Sequence, residues 1–341
     1  MSEFVTLEEI RAAQRRIEGV AVRTPMVRVD PERLRAAGIA APEFELFLKA
    51  ESAQPIGSFK LRGAYNMVAQ LPVAVRARGV ITYSSGNHAQ GVAYAARAVG
   101  VKAVIVMPEN APEVKKIATA ALGAEIVMVG PASSERKAKA EELSERFGYA
   151  VIPPYDDARI IAGQATCGLE IVEQVSDVDL VLAPVSGGGL LSGIATAVKL
   201  AAGEGLAKAQ VKVWGCEPEL AADAKESFET KTLVEWPAAK TTRTIGDGLR
   251  TQSLGRLNFE HVLRYVNGIV TVSEDEIYAA MRAVMGATDL VAEPSGAVTV
   301  AAALFGAGGL PKAKKVVAVV SGGNIEPSLK SMLMETMSTV R

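Results

Sequence analysis

The chain has 341 residues, of which 49% are hydrophobic and 22% are charged, and its formal net charge at pH 7 is −1. This balance is typical of a globular protein of one large or two smaller domains, and it argues against nucleic acid and against a membrane as partners. The two histidines and two cysteines, Cys167 and Cys216, disfavour a catalytic zinc site and a disulfide framework, so we expect a cytoplasmic protein.

The first part of the chain predicts a helix followed by a strand. Thr6 and Glu9 form a capping-box pattern ahead of an amphipathic helix that ends near Ile17. Because this segment is charged, it is not typical of a signal peptide, and no later apolar run approaches the length of a membrane span. Residues 45–50 (ELFLKA) alternate in polarity and predict a strand.

A lysine stands at the start of the next predicted helix. In residues 57–60 (GSFK), Ser58 is a candidate N-cap for a helix over 59–67, which places Lys60 in its first turn between two apolar residues. Burial and the positive helix end would both lower the pKa of this amine, as a Schiff-base lysine requires. Most lysines beside apolar residues only extend their ammonium to solvent, so both interpretations stay open here.

The next part of the chain alternates between strands and helices. Strands are predicted at 80–83, 101–107, 125–129 and 149–152, and helices at 89–99, 112–122 and 133–147. The pattern predicts a doubly wound α/β unit. The loop of residues 84–88 (SSGNH) follows a strand end, where such sheets bind ligands, although Ser84 or Ser85 acting only as a helix cap explains it equally well.

The second half contains a glycine-rich stretch, residues 186–190 (SGGGL), between a predicted strand at 180–183 and a predicted helix at 194–202. Glycines let backbone N–H groups approach a ligand closely, and a following helix N-terminus favours an anion, most often phosphate. A plain turn is the simpler alternative, but three consecutive glycines cost more backbone entropy than such a turn requires.

Two kinds of phosphate ligand remain open for this stretch. Leu190 and Leu191 follow the last glycine, where a P-loop needs lysine and a hydroxyl residue. A dinucleotide fingerprint needs glycine where Ser192 stands, although Glu217, after the next predicted strand, is placed to bind a ribose. A small cofactor with one phosphate fits the short glycine stretch equally well.

Four segments, in this order and spacing, carry a resemblance to a known family: residues 57–60 (GSFK), 84–88 (SSGNH), 186–190 (SGGGL) and 321–324 (SGGN). They resemble the serine/threonine dehydratase and serine racemase family of pyridoxal-phosphate (PLP) enzymes. The resemblance covers the chain from Thr6 to Asn324. It implies an α/β fold of two doubly wound open-sheet domains, fold type II, as in the tryptophan synthase β chain.

The resemblance also implies a division into domains and an oligomeric state. Residues 1–51 and 155–341 would form a large PLP-binding domain, and residues 52–154 a small mobile domain that closes over the substrate and excludes water. We expect a homo-oligomer, either a dimer or a tetramer.

The cofactor-binding residues follow from the same resemblance. Lys60 matches the lysine that holds PLP as a Schiff base, Asn87 the partner of the ring hydroxyl, and Ser321 the partner of the pyridine nitrogen. The phosphate cup is matched by Ser186, Gly187, Gly188, Gly189 and Leu190. Because Ser321 is neutral, the ring is expected to be a weaker electron sink, which suits loss of a β-substituent.

Substrate and metal sites are implied as well. The loop that grips the substrate carboxylate is matched by Ser84, Ser85, Asn87 and His88. Glu217, the carbonyl of Ala221 and Asp223 match a divalent-cation site of the racemase branch, and three oxygen ligands suit Mg²⁺ or Ca²⁺, with Mn²⁺ as a further candidate.

Three positions refine the comparison with the family. Ser186 replaces the first of four glycines found in many members, and its hydroxyl can still donate to a phosphate. Ile56 replaces a common threonine, and nothing in the sequence explains this change. Ser85 stands where catabolic threonine dehydratases often carry alanine and racemases carry an acid/base serine, which favours the racemase and hydroxyaspartate dehydratase branch.

The expected function is therefore a PLP-dependent ammonia-lyase that converts a small β-hydroxy amino acid (serine, threonine or 3-hydroxyaspartate) to a 2-oxo acid and ammonia. Racemisation by Lys60 and Ser85 from two faces is the alternative, and an NAD(P)-dependent oxidoreductase is the remote one. A β-carboxylate on the substrate would need an arginine, for which Arg136, Arg243 and Arg250 are candidates; we place Arg136 among the substrate-binding residues.

Overall fold

The structure is a computed structural model that describes residues 4–84, 86–111, 113–130, 133–306 and 309–339. The strands are β1 (Met26–Arg28), β2 (Glu45–Ala50), β3 (Val80–Tyr83), β4 (Ala103–Pro108), β5 (Glu125–Val129), β6 (Ala150–Val151), β7 (Leu180–Pro184), β8 (Lys212–Pro218), β9 (Gly268–Val272) and β10 (Lys315–Val320). The helices are α1 (Leu7–Ile17), α2 (Pro31–Ala36), α3 (Lys60–Ala69), α4 (Val73–Arg76), α5 (Asn87–Ala98), α6 (Glu113–Ala121), α7 (Ser133–Phe147), α8 (Ala158–Gln174), α9 (Gly189–Gly203), α10 (Asp223–Thr230), α11 (Ala238–Thr241), α12 (Arg256–Tyr265), α13 (Glu274–Ala287), α14 (Pro294–Phe305) and α15 (Pro327–Thr339).

Two separate sheets organise these elements. The larger has the strand order β1-β2-β10-β7-β8-β9, in which only β1 pairs antiparallel, and the smaller is the all-parallel β5-β4-β3-β6. Parallel strands send their carboxyl ends to one edge of a sheet, and ligands of α/β proteins bind outside that edge. Three of the four singled-out loops follow the ends of β3, β7 and β10.

The core explains why the central strands carry continuous apolar runs. Two hydrophobic clusters cover the larger sheet and two smaller clusters cover the other, so the central strands are buried on both faces. In β10, Val317 through Val320 are fully buried. No helix in the described part of the chain has the length and apolar character needed to cross a membrane.

Two predicted helix starts were wrong. Helix α3 begins at Lys60 with Phe59 as its N-cap, and Ser58 instead forms an antiparallel bridge with Gly322, a partner 264 positions away that no local pattern reveals. Helix α9 begins at Gly189, five residues before the predicted start. Gly188 is its N-cap in the left-handed conformation, with φ of 92°, so Gly187 precedes the helix, Gly188 caps it and Gly189 begins its first turn.

Small residues bring α3, α8 and α9 into close contact. A Cβ atom on Gly163 of α8 would lie 2.6 Å from the Cα of Gly63 in α3, and one on Gly193 of α9 would lie 2.6 Å from the backbone nitrogen of Ala165. Such distances are far below van der Waals contact, so only glycine permits these helix crossings. Helix α3, which begins at Lys60, is thereby packed on the larger sheet's helices as well as on α5.

A network of four buried charges anchors the same helix. Arg62 of α3 donates from Nε to Glu51 Oε2 (2.8 Å) and from Nη1 to Glu170 Oε1 (2.7 Å), and Lys49 Nζ donates to Glu170 Oε2 at 2.6 Å. All four side chains are 5% exposed or less, and Thr24 Oγ1 donates to the remaining oxygen of Glu51. Burial alone would raise the pKa of Glu51, but the Arg62 guanidinium lowers it, so the Glu51 carboxylate is held as an anion.

Candidate active site

Lys60 lies at the centre of the candidate site. Its Nζ donates to the carbonyl of Pro154 at 2.8 Å and lies 5.2 Å from the centre of the Phe59 ring. Burial lowers the pKa of this amine from 10.5 to about 8. Gly91 of α5 packs directly on the Lys60 backbone, because a Cβ there would lie 3.2 Å from its carbonyl oxygen. The lowered pKa predicted for Lys60 therefore has a structural cause, which is burial of its amine.

The predicted phosphate cup lies beside it. Helix α9 has no side-chain cap among the described residues, so its first-turn N–H groups are available to an anion. Ser186 adopts a left-handed backbone, with φ of 55°, and Gly188 does the same. The Tyr155 ring packs on Gly187, and a Cβ on Gly189 would lie 3.0 Å from Tyr155 Cβ. Tyr155 follows the Pro154 that holds Lys60, which connects the lysine to the cup.

A second set of contacts connects the cup to Ser321. Ser186 Oγ donates to the carbonyl of Gly248 at 2.9 Å, and the Gly248 N–H donates to Ser295 Oγ at 2.9 Å. Ser321 Oγ donates to the Ser295 carbonyl at 3.4 Å, and the Phe59 N–H donates to the Ser321 carbonyl at 3.1 Å. This series of hydrogen bonds ends at Phe59, the residue before Lys60. The segments 57–60, 186–190 and 321–324 therefore meet at one sheet edge.

Asn87 joins the fourth motif to this edge. Its Nδ2 donates to Glu293 Oε1 at 2.6 Å, and its Oδ1 accepts from Asn324 Nδ2 at 2.7 Å. Burial, and secondarily Asp247, raises the pKa of Glu293 to about 7. Glu293 was not predicted as a site residue, because residues 293–296 (EPSG) explain an acid there as the start of α14. The Asn324 contact was not predicted because its partners are remote in sequence.

The other residues of the predicted carboxylate loop differ in their surroundings. Ser84 Oγ accepts from the Gly86 N–H at 3.3 Å, while Ser85 lies outside the described residues. A ring nitrogen of His88 is 3.0 Å from the Ile152 carbonyl, and burial lowers the pKa of this histidine to about 3. His88 is therefore a neutral, buried side chain, and its predicted substrate role remains a prediction.

The three candidate arginines lie in two parts of the chain, Arg136 on α7 and the other two in the loop of residues 240–250. Arg136 lies half-buried on α7, where burial lowers its pKa. Arg243 Nε donates to the Lys240 carbonyl, and Arg250 donates twice to the Thr244 carbonyl, at 2.9 and 2.6 Å. The latter two guanidinium groups thus hold the loop of residues 240–250, and the role of Arg136 remains a prediction.

One ion pair crosses from α6 to the loop beside the cup. Lys115 Nζ pairs with Asp247, which also lies 3.4 Å from Ser295 Oγ. Burial alone would lower the pKa of Lys115, but Asp247, with Glu293 and Glu326, raises it. This lysine was not singled out in the sequence, since nothing in its local pattern distinguishes it from a surface residue.

The predicted cation ligands lie at the end of β8. Glu217 is buried, with Oε1 accepting from the Lys225 N–H at 2.7 Å, and Asp223 Oδ2 is buried without a partner among the described residues. Burial raises the pKa of both carboxyls, that of Asp223 to about 7, and Asp223 raises that of Glu217 further. No group of three or more His, Cys, Asp or Glu side chains in the described ranges is arranged to hold a metal.

Comparison with known proteins identifies this arrangement. Residues 17–322 match the family described as pyridoxal-phosphate dependent enzyme. The chain belongs to that family. The uncapped start of α9 and the buried lysine beside it fit PLP, which needs a phosphate site and an amine within one cleft. The family favours this one-phosphate cofactor over a dinucleotide held by Glu217, and the predicted cofactor is confirmed.

Three similar proteins cover nearly the whole chain. A catabolic L-threonine dehydratase of Escherichia coli is 38% identical over 96% of both chains, and an L-threo-3-hydroxyaspartate ammonia-lyase of Saccharomyces cerevisiae is 37% identical over 94% of both. The solved structure of maize serine racemase is 33% identical, with a TM-score of 0.87 over 99% of both chains. The predicted family and fold class, two doubly wound open sheets of fold type II, are confirmed.

The low pKa of Lys60 predicts how the PLP-family apoprotein captures its cofactor. Only the neutral amine attacks an aldehyde, so the rate of visible-band formation on mixing with PLP should rise with pH around a midpoint near 8. Stopped-flow absorbance across pH 6–10 measures this midpoint. A midpoint near the ordinary value of 10.5 would contradict the effect of burial on this lysine.

Proposed function

We propose that the protein is a PLP-dependent ammonia-lyase that removes water and then ammonia from a small β-hydroxy amino acid. The supporting observation is the meeting of a low-pKa lysine, an uncapped helix start and the neutral Ser321 at one sheet edge. Relatives named as threonine dehydratase and hydroxyaspartate ammonia-lyase support the reaction class. Serine, threonine and 3-hydroxyaspartate are the proposed substrates.

The side chains would divide the work as follows. The N–H groups of Gly187, Gly189 and Leu190 would hold the phosphate, since the Gly188 N–H donates to the Val185 carbonyl at 3.1 Å. Bound PLP would supply an electron sink for charge developing at the substrate Cα. Lys60, freed by the substrate amine, would take the Cα proton, and the β-hydroxyl would leave as water. Hydrolysis would then release ammonia and a 2-oxo acid. The elimination releases one water and the hydrolysis consumes one, so no net water is produced. Ser321 would leave the ring nitrogen unprotonated.

Racemisation is the second candidate activity. The likeness to maize serine racemase and the serine at position 85 favour it. Ser85 would return a proton to the face opposite Lys60, in competition with loss of the hydroxyl. Ser84, Asn87 and His88 are proposed to bind the substrate carboxylate with Ser85, and Arg136 to bind a β-carboxylate where the substrate carries one.

Absorbance spectroscopy tests the proposal directly. The purified holoenzyme should be yellow, and its visible band should shift on adding L-serine, L-threonine or 3-hydroxyaspartate, with a 2-oxo acid appearing for the true substrate. Inverted serine with little oxo acid would make the protein chiefly a racemase. A protein that stays colourless with added PLP would overturn the proposal.

We also propose that Glu217, the Ala221 carbonyl and Asp223 hold Mg²⁺, Ca²⁺ or Mn²⁺. Burial raises the pKa of both carboxyls, and Asp223 raises that of Glu217 further. Glu217 accepts from the backbone N–H groups of Lys225 and Ala224, so Asp223 Oδ2 is the buried carboxylate oxygen left without a partner among the described residues. A cation bound here would relieve this unfavourable buried charge.

Divalent cations should therefore stabilise the protein. Adding Mg²⁺ or Ca²⁺ at about 100 times the dissociation constant should raise the free energy of unfolding by about 2.7 kcal/mol, and a chelator should reverse this. Calorimetry with and without cation measures the effect. Asp223→Asn should abolish it, whereas Asp289→Asn, at a fully exposed carboxylate, should leave it intact. An equal response in Asp223→Asn would contradict the site.

The domain division, residues 1–51 with 155–341 and residues 52–154, is proposed to allow closure over the substrate. The Lys115–Asp247 pair, which joins α6 to the cup loop, supports a closed arrangement.

Both cysteines are free and buried, which supports a cytoplasmic enzyme. A homo-oligomer, dimer or tetramer, remains a prediction that light scattering would test.

A further inference from the structure

The side-chain amide of Asn87 has only one permitted orientation. Asn324 Nδ2 donates both to the carbonyl of Ile56 at 2.9 Å and to Asn87 Oδ1 at 2.7 Å. A backbone carbonyl can only accept, so the Asn324 atom facing it must be nitrogen. Asn87 must therefore present its oxygen to Asn324 and its nitrogen to Glu293, whose Oε1 lies 2.6 Å away.

Two motif glycines make room for this network. A Cβ on Gly322 would overlap Glu293 Oε1 and lie 3.2 Å from Asn87 Nδ2. A Cβ on Gly57, where φ is +71°, would overlap Asn324 Oδ1. Glu293 is only 4% exposed, so water does not compete strongly for its carboxylate. The glycines of residues 57–60 and 321–324 thus allow an acid and an amide to reach Asn87 from two sides.

Asn87 retains one donor after these contacts. An amide nitrogen carries two hydrogens, and Glu293 accepts one of them. No other contact to Asn87 Nδ2 occurs among the described residues, so the second hydrogen is available to a ligand. Were the amide turned over, an oxygen would occupy this position and would repel a ligand oxygen that carries no proton.

We propose that Glu293 and Asn324 are positioning residues that hold the Asn87 amide so that its second N–H donates to the ring hydroxyl oxygen of PLP. This inference rests on the proposed function, specifically on the contact between Asn87 and that oxygen. A hydrogen bond to an ionised oxygen is roughly twice as strong as a neutral one, so losing its orientation weakens cofactor binding measurably.

A pair of cofactors separates this role from general destabilisation. Apoprotein variants are titrated with PLP and with 3-deoxypyridoxal phosphate, which lacks the ring hydroxyl, and the bound fraction is read from the visible band. Glu293→Ala should raise the dissociation constant for PLP roughly tenfold to a hundredfold, and that for the deoxy compound by less than about threefold. Glu293→Gln should remain close to wild type, because its amide oxygen accepts from Asn87 as the carboxylate does.

Two further variants control the comparison. Glu276→Ala removes a carboxylate that accepts from Ser273 N–H at 2.7 Å at the start of α13, away from the site, and should change neither constant. Asn324→Ala should repeat the Glu293→Ala pattern, and it decides the matter where Glu293→Ala does not fold. Equal weakening of both cofactors, or none, in either variant overturns the positioning role. Wild-type protein that binds neither cofactor would contradict the proposed function instead.

Discussion

Lys60→Ala should abolish the visible absorbance band and lower turnover by about a thousandfold or more. The variant loses both the amine that attaches the cofactor and the base proposed for the Cα proton. In the wild-type protein, the Lys60 amine has a lowered pKa and donates to the Pro154 carbonyl, so it is both positioned and readily deprotonated for this chemistry. Spectra of the variant with saturating PLP, and 2-oxo acid release from the best substrate, provide the two measurements.

A second lysine supplies the control for this prediction. Lys139 lies on α7 of the smaller sheet's layer and pairs with Glu142 at 2.8 Å on the surface. Lys139→Ala should retain the band and the turnover, which would show that loss of a lysine as such has no effect. Substantial steady-state activity in Lys60→Ala would be incompatible with the proposed mechanism.

Arg62→Met should cost about 3–5 kcal/mol of unfolding free energy, because it leaves Glu51 and Glu170 buried with one fewer cation. The shape of the side chain is largely retained, so the loss reports on charge and hydrogen bonding. Urea unfolding at pH 7 measures the difference. Arg23→Met, at the exposed Arg23–Glu173 pair, should cost less than about 1 kcal/mol.

The Arg62 effect should also depend on pH in a defined direction. Arg62 lowers the pKa of Glu51 in the folded protein, so the pair stabilises the fold above the ordinary pKa of 4.5 and loses its contribution as pH falls. The difference between wild type and Arg62→Met should therefore shrink in acid. A difference that grows as pH falls, or a loss at pH 7 no greater than that of Arg23→Met, would contradict the interpretation.

The predictable part of this protein was the part with local patterns. The glycine run of residues 186–190 indicated an anion site by itself, because a plain turn does not need three consecutive glycines. Lys60 was assigned only through the resemblance carried by four ordered segments, because most lysines beside apolar residues simply extend to solvent. Ser58 was misassigned as a cap because its true partner, Gly322, is joined to it only by the folded sheet edge. Propensity describes neighbours in sequence, and that pairing is long-range.

The buried charges escaped prediction for a different reason. Charged residues are almost always exposed, so nothing in the sequence marks Lys49, Glu51, Arg62 and Glu170 as interior. Their burial depends on four partners meeting with matched charge, from β2, the turn that follows it, α3 and α8, which is a property of the assembled fold. Glu293 escaped likewise, since an acid before proline is sufficiently explained as a helix start.

The anchoring of α3 has a consequence for the catalytic cycle. Although α3 lies within residues 52–154, glycine crossings and the Arg62 network fasten it to α8. We therefore expect the closing motion to be confined to the rest of that segment, and Lys60 to keep its distance from the phosphate cup whether the substrate cleft is open or shut. Product could then depart and a new substrate enter without disturbing the attachment of the cofactor. The enzyme would begin each cycle with its cofactor already attached. The turnover rate would then depend on substrate entry and product release through the cleft and not on rebinding of the cofactor.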